Sequence, residues 1–282
     1  MIKLFATDLD GTLLNLFHQV DGTILRALRT VTDAGAHVAI ATGRTMRTPN
    51  DFGLAGVPLE AVCANGSIVL GRDGSVLRHS PVDPAFLEEL IGRFPNVCFE
   101  CVGLERTLVT GTPEMRAQGF QRDGLFTRIV MAGMRARATQ LAAGFLYEQT
   151  IADVLAQDIC KVNARVADPA LERELHAFLA EHADAVVNTP FNPVMFEITD
   201  ARVSKGAAVA WLAGHLGFTE DEVAVYGDGG NDIAMLDRFE HAFATANGSD
   251  AAKRAAGTVI GNCAWHAVPR HMAATVRRER AR

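Results

Sequence analysis

Short apolar runs alternate with helix-period segments over the first eighty residues. Ile2 to Thr7 is too brief for a helix, carries β-favouring Ile, Phe and Thr, and runs into Asp8-Leu9-Asp10-Gly11-Thr12. From Asp21 to Ala34, Ile24, Leu28 and Val31 recur at helical spacing and Gly35 stands as the stop. His37 to Ala41 reads as a second strand, Met46 to Leu54 as a helix, and Ala61 to Ala64 as a third strand closed by Asn65-Gly66. Strand, helix, strand, helix, strand with short connections implies a parallel sheet covered on both faces. Ser67 to Leu70 and Ser75 to Arg78 form a hairpin through Gly71-Arg72-Asp73-Gly74.

The texture changes near Pro81. A helix is predicted over Pro84–Phe94, strands over Val97–Val102, Thr107–Thr110 and Phe126–Met131, and a helix over Arg135–Glu148. Cys160–Val166 is another strand, Pro169–Glu181 another helix, and Ala185–Val187 pairs back. The first pattern then returns with strand Val194–Ile198, helix Ser204–His215, a Thr219/Glu222 capping box and strand Val223–Tyr226. Helix Ile233–Leu236, the run Ala242–Ala244, helix Asp250–Ala256 and strand Thr258–Ile260 complete the sheet. The expected fold is α/β: a doubly wound, Rossmann-like parallel core from residues 1–81 and 188–282, with an α+β module inserted over 82–187.

Composition narrows the partners. A chain of 282 residues, 49% hydrophobic, can bury a core without staples. The net charge of −6 argues against nucleic acid and anionic membrane. The one basic run, Arg277-Arg278-Glu279-Arg280-Ala281-Arg282, reads as a frayed, solvated helix end. Five cysteines suit no disulfide framework, and Cys98-Phe99-Glu100-Cys101 stands alone, so inert thiols are expected. With no leader-like segment and no long apolar run, the expectation is a cytoplasmic protein, monomer or homodimer, acting on a small molecule.

The chemistry gathers where strands end, since ligands of open parallel sheets bind outside the strands' carboxyl ends. Strand alternation points Asp8 and Asp10 to one spot, where two like charges call for a hard cation such as Mg²⁺. Turn chemistry is the rival reading, and a calcium loop fails because Leu13 and Gln19 occupy its glycine and glutamate positions. Gly227-Asp228-Gly229-Gly230-Asn231-Asp232 is a second acidic turn, offering Asp228 as a further metal carboxylate with Asp232 and Thr12 in support. Lys205 stands at a helix start, where the dipole disfavours a cation, so a bound phosphate is expected to settle it. Leu9, Thr42, Gly43 and Asn231 join Lys205 as phosphate-holding positions. Together they suit a carboxylate nucleophile at Asp8 and an acid/base at Asp10. Arg44, Asn65, Gly66, Arg128, Asn188 and Asn192 are candidates for the rest of the substrate, whereas Trp211 and Met235 are expected to pack.

In order and spacing these motifs resemble the haloacid dehalogenase superfamily of phosphohydrolases. The resemblance runs through Asp8-Leu9-Asp10-Gly11-Thr12, Thr42-Gly43-Arg44, Ser204-Lys205-Gly206 and Gly227 to Asp232. The insert between Gly66 and Ser204 is similar to the Cof-type branch with its α/β cap, a domain that chooses the leaving group. The resemblance implies Asp8 as nucleophile, Asp10 as acid/base, and Mg²⁺ held by Asp8, Asp228 and the carbonyl of Leu9 or Asp10. A carboxylate at Asp10, where related ion pumps have Thr, favours rapid hydrolysis. Cys263-Ala264-Trp265-His266-Ala267-Val268-Pro269 departs from the pattern and leaves the final helix open. The expectation is a Mg²⁺-dependent phosphatase of small metabolites, sugar phosphates first; a phosphomutase-like transferase and an idle metabolite-binding protein are the rivals.

Overall fold

The computed structural model describes residues 1–122, 144–190 and 195–281. An apolar first strand demands cover on both faces, and β1 (Leu4–Thr7) is buried along its whole length. α1 (Gly22–Thr32) is capped by Asp21, whose carboxylate accepts the Thr23 and Ile24 N–H groups at 2.9 and 3.1 Å. Its stripe of Ile24, Leu28 and Val31 is buried. β2 (His37–Ala41) and β3 (Glu60–Cys63) add in parallel, and β4 (Ile68–Leu70) and β5 (Val76–His79) turn back antiparallel. The helix predicted over Met46–Leu54 does not form. Pro49 disfavours the helical conformation at Thr48, and the Asp51 carboxylate takes the Arg47 and Thr48 N–H groups at 2.8 and 3.3 Å, leaving a short turn at Asp51–Gly53.

Residues Ser80–Arg202 fold as a compact unit. α2 (Pro84–Arg93), β6 (Phe99–Val102), β7 (Thr107–Val109) and α3 (Pro113–Gln118) lead into β8 (Phe145–Leu146) and α4 (Ile151–Leu155). β9 (Lys161–Arg165), α5 (Pro169–Glu181), β10 (Val186–Asn188) and β11 (Met195–Asp200) follow. The described strands form a sheet in the order β10-β11-β9-β6-β7-β8. Phe86, Leu90 and Phe178 of α2 and α5 pack with Phe99, Val162 and Ile198 in its core. Three expectations are corrected here. The strand expected at Val194–Ile198 belongs to this sheet as β11, because its alternation buries Phe196 and Ile198 in this core and pairs Glu197 with a buried Lys161. The unit therefore runs to Arg202 rather than to residue 187. The helix predicted over Arg135–Glu148 cannot reach its end, since Phe145–Leu146 pairs with β7. Its residues 135–143, the strand Phe126–Met131, and Arg128 and Asn192 lie outside the described residues.

The chain returns to the first unit, Met1–His79 with Val203–Arg282. α6 (Lys205–His215) starts at Ser204, whose hydroxyl accepts the Ala207 N–H at 3.1 Å, and the Thr219/Glu222 capping box forms. β12 (Val223–Gly227), α7 (Ile233–Leu236), β13 (His241–Ala244) and α8 (Asp250–Ala256) complete a seven-stranded sheet ordered β13-β12-β1-β2-β3-β4-β5. Leu4, Ala39, Val62 and Val225 meet Val209, Leu212 and Met235 on one face of it. The strand expected at Thr258–Ile260 reduces to a single bridge between Ala244 and Val259. The irregular Cys263–Trp265 turn, capped by Asn262, leads into α9 (Ala267–Arg280). Its last turn is tied down rather than frayed: Glu279 accepts the Ile2 N–H at 3.0 Å. Among the described residues no helix is long and apolar enough to cross a membrane.

The strand register decides where the loops emerge. Thr7 pairs with both Ile40 and Tyr226, and Ala41 with Val62, so the carboxyl ends of β12, β1, β2 and β3 come out level. Asp8, Thr42, the Ala64–Gly66 turn and Asp228 leave the sheet at one edge.

Candidate active site

Asp8 leaves β1 with its N–H still donating to the Tyr226 carbonyl at 3.0 Å. The strand stops there. Asp8 and Leu9 carbonyls accept the Leu13 and Leu14 N–H groups at 3.2 and 2.9 Å, and Gly11 adopts φ +75°. This turn breaks the alternation that was to aim Asp8 and Asp10 at one spot. Asp8, buried, accepts from the Lys205 ammonium at 2.7 Å. Asp10 is taken by Arg44 in a two-pronged pair, Nε to Oδ2 at 2.6 Å and a second contact from Nη2 to Oδ1, with His18 Nδ1 3.5 Å away.

Lys205 is corrected too. No phosphate is needed to settle its charge, because the ammonium lies between Asp8 and Asp232, 2.7 Å from each, at 1% exposure. Asp232 is fully committed: its second oxygen accepts the Asp228 and Gly229 N–H groups, both at 2.9 Å. That grip shapes the loop carrying Asp228, whose Oδ1 accepts the Thr12 hydroxyl at 2.6 Å. Gly11 is required twice over, by its left-handed φ and because a Cβ there would lie 2.4 Å from Asp228 Oδ2.

One oxygen from each of Asp8, Asp228 and Asp232 lies within 4.8 Å of the others. The acidic trio is thus Asp8, Asp228 and Asp232, not the predicted Asp8, Asp10 and Asp228. Burial pushes the Asp8 carboxyl well above the usual range; Lys205 pulls it back, and Asp232 and Asp228 push it further up. Burial likewise pushes Asp228 up to about 6, against the pull of the Thr12 hydroxyl and with a push from Asp232. Burial alone would lower the Lys205 ammonium, but Asp232 and Asp8 outweigh it and hold its pKa raised. One cation among three carboxylates, two of them buried and Asp228 half-buried, leaves an excess of negative charge on hard oxygen donors. A divalent cation that prefers oxygen fits this set.

The second strand end supplies polar groups. The Thr42 hydroxyl accepts the Arg44 N–H at 3.1 Å, and Asn231 Nδ2 donates to Asn65 Oδ1 at 3.1 Å. Gly43 sits against both amides; a Cβ there would lie 2.8 Å from Asn65 Oδ1. Leu9 buries its side chain and commits its carbonyl to Leu14, so what it can offer a phosphate is its N–H. Arg44 lies 4.9 Å from the Phe52 ring centroid. Gly66 has a packing role. It packs against α6, where a Cβ would sit 2.6 Å from the Ser204 carbonyl oxygen at φ +106°. Gly66→Ala is therefore expected to cost about 1–3 kcal/mol, read as a lower urea midpoint at unchanged slope. Asn188, in the other unit, spends its side-chain oxygen on the Glu197 N–H at 2.8 Å.

Sequence reasoning missed one loop. Asn247 Nδ2 donates to the Gly11 carbonyl at 2.7 Å, and the Ser249 N–H donates to the Asp228 carbonyl at 2.9 Å. Gly248 lets the chain pass 3.0 Å from the Asp228 Cα, measured from where a Cβ would stand. Asn247-Gly248-Ser249-Asp250 reads locally as a turn before a capped helix, and only the register of β13 brings it here. None of the five cysteines is in a disulfide among the described residues, and burial pushes Cys98 and Cys101 up to about 11 and about 12.

The family model of haloacid dehalogenase-like hydrolases matches residues 5–272. The HMP-PP phosphatase of Yersinia enterocolitica is 26% identical over 280 residues, covering 96% of this chain and 94% of that protein. The chloroplastic endoribonuclease YBEY of Arabidopsis thaliana is 25% identical over 280 residues, and the chain spans only 43% of its length. Among solved structures, a haloacid dehalogenase-like hydrolase of B. subtilis superposes with a TM-score of 0.79 at 24% identity, covering 96% of this chain and 99% of that one.

Proposed function

Because the chain belongs to the haloacid dehalogenase-like hydrolase family, we propose that it is a magnesium-dependent phosphatase working through an aspartyl-phosphate on Asp8. Its substrates on this reading are small phosphate esters, sugar phosphates first among them. The observation that carries the reading is the buried Lys205 ammonium shared by Asp8 and Asp232, with Asp228 within ligand range of both carboxylates. A phosphatase relative covering nearly the whole chain supports it. Five cysteines outside any disulfide suit a reducing compartment, and we place the protein in the cytoplasm.

Asp8 attacks phosphorus through one carboxylate oxygen. The ester P–O bond breaks, and the departing oxygen takes a proton from Asp10. Asp10, now a carboxylate, takes a proton from water, whose oxygen attacks phosphorus; the acyl-phosphate bond breaks, releasing phosphate and Asp8. Arg44 holds both Asp10 oxygens and so orients the carboxyl for this exchange. Lys205 pulls the Asp8 carboxyl toward its ionised form against the effect of burial, and Thr42, Gly43 and Asn231 orient the phosphoryl oxygens. Asp8 and Asp228 would hold Mg²⁺ with a backbone carbonyl; that of Leu9 already accepts Leu14, which favours Asp10. Bound there, the ion supplies neutralisation of the transferring oxygens. Choice of leaving group is assigned to the inserted unit.

Asp10→Asn is expected to lower steady-state kcat on p-nitrophenyl phosphate by about 10²–10⁴-fold. An unchanged kcat removes Asp10 from the mechanism. Chelation with EDTA is expected to abolish turnover, and added Mg²⁺ to restore it. The same cation should stabilise the fold in a pH-dependent way. A carboxyl whose pKa is raised from 3.8 to about 6 on folding stabilises the protein fully below the lower value, and that contribution is lost as pH rises through about 6. The gain in Tm on adding Mg²⁺ should therefore be larger near about pH 8 than near about pH 5. Equal gains at both would remove Asp228 from the ligand set.

A further inference from the structure

Away from the strand ends, α1 and α9 pack together and leave a cleft of about 500 Å³ between them. Its basic lining comes from both helices: Arg26 and Arg29 from α1, Arg270 and Arg277 from α9. Asp33 is the one acid in the lining. Among the described residues none of these four guanidinium groups is in an ion pair, although the chain as a whole carries −6. Small residues, Ala27 and Ala273, open the space between the helices. The tail that sequence alone would leave frayed helps to build this wall, since Glu279 anchors it to Ile2 and Arg280 donates to the Asp33 carbonyl at 3.3 Å.

Four exposed like charges around one cleft repel one another, and an anion laid among them reverses that sign. Arginine's planar fork matches phosphate oxygens two at a time, and the cleft falls within the usual range of small-ligand sites. The spacing says more. Arg270 and Arg277 share one face of α9 two turns apart, about 10 Å along the axis. A single phosphate would have to draw both side chains inward against their mutual repulsion, whereas a chain of phosphates spans more of that separation. We propose that the α1–α9 cleft binds a small anion carrying several linked phosphates, at a site separate from Asp8.

The test titrates the full-length protein with inorganic tripolyphosphate in EDTA by calorimetry, beside Arg26→Glu/Arg277→Glu and the milder Arg26→Gln/Arg277→Gln. The expected result is a Kd weakened about a hundredfold by the charge reversal, tenfold for each lost contact, with a smaller loss in the glutamine pair. Turnover of p-nitrophenyl phosphate with Mg²⁺ should be the same in all three proteins. ATP run alongside separates the two sources: tighter binding than tripolyphosphate assigns a nucleotide, equal binding assigns the bare chain, and both support the site. An unchanged Kd in both variants overturns the proposal. So does orthophosphate or polyglutamate binding as tightly as tripolyphosphate.

Discussion

Asp8→Asn is expected to lower kcat on any phosphate monoester by about ten-thousandfold or more, because the amide cannot attack phosphorus and nucleophile removal is among the costliest changes an active site can suffer. The fold should survive and even gain. Burial already pushes the Asp8 carboxyl up, so the folded protein bears a cost for keeping a charge there. Asparagine retains an oxygen for the Lys205 ammonium and removes one of the crowded negative charges. The urea midpoint should stay level or rise, by up to about 2 kcal/mol in stability. A variant that keeps kcat within tenfold of the parent would show that phosphorus is attacked by something else.

Lys205→Met should damage both stability and activity. Methionine fills a similar volume, but Asp8 and Asp232 would then be buried beside Asp228 with no cation among them. Breaking a buried pair by removing one partner costs about 3–5 kcal/mol, and here two carboxylates lose the same partner. The loss should be largest in EDTA and shrink when Mg²⁺ is added. Combining Lys205→Met with Asp8→Asn should return part of the lost stability, because the double variant has one stranded charge fewer. Strict additivity of the two changes would mean that Lys205 and Asp8 do not share the contact on which the site depends. Lys205→Arg is no remedy, since a planar guanidinium does not fit a fully buried slot shaped for one ammonium.

The contacts behind both expectations show only partly in the sequence. The parallel strands were legible because each is a short buried run ending in glycine or an acid, and a regular βαβ rhythm leaves few topologies. β11 was not. Phe196 and Ile198 alternate as they would in either sheet, and only the partnering of Glu197 with Lys161 tells which one receives them. The Met46–Leu54 segment misled because its apolar spacing hid Pro49 and the competing Asp51 carboxylate. At the site, the residue types were readable and their pairings were not. Alternation put Asp8 and Asp10 together on the assumption that the strand continues, but the backbone turns at Leu9 and hands Asp10 to Arg44. Lys205 looked like an unsatisfied cation at a helix start until a loop some twenty-seven residues on brought Asp232 to it. At Gly66 the sequence did not show that the missing side chain serves the approach of Ser204.

The most direct measurement is chemical trapping of the covalent intermediate. Asp10→Asn protein is mixed with excess p-nitrophenyl phosphate and Mg²⁺, quenched in acid, reduced with borohydride and digested for mass spectrometry. Attack by Asp8 predicts homoserine in place of Asp8 in the amino-terminal peptide, absent from the Asp8→Asn control. Nitrophenol release with Asp8 unmodified, or homoserine at Asp228 or Asp232 instead, would contradict the assignment of the nucleophile.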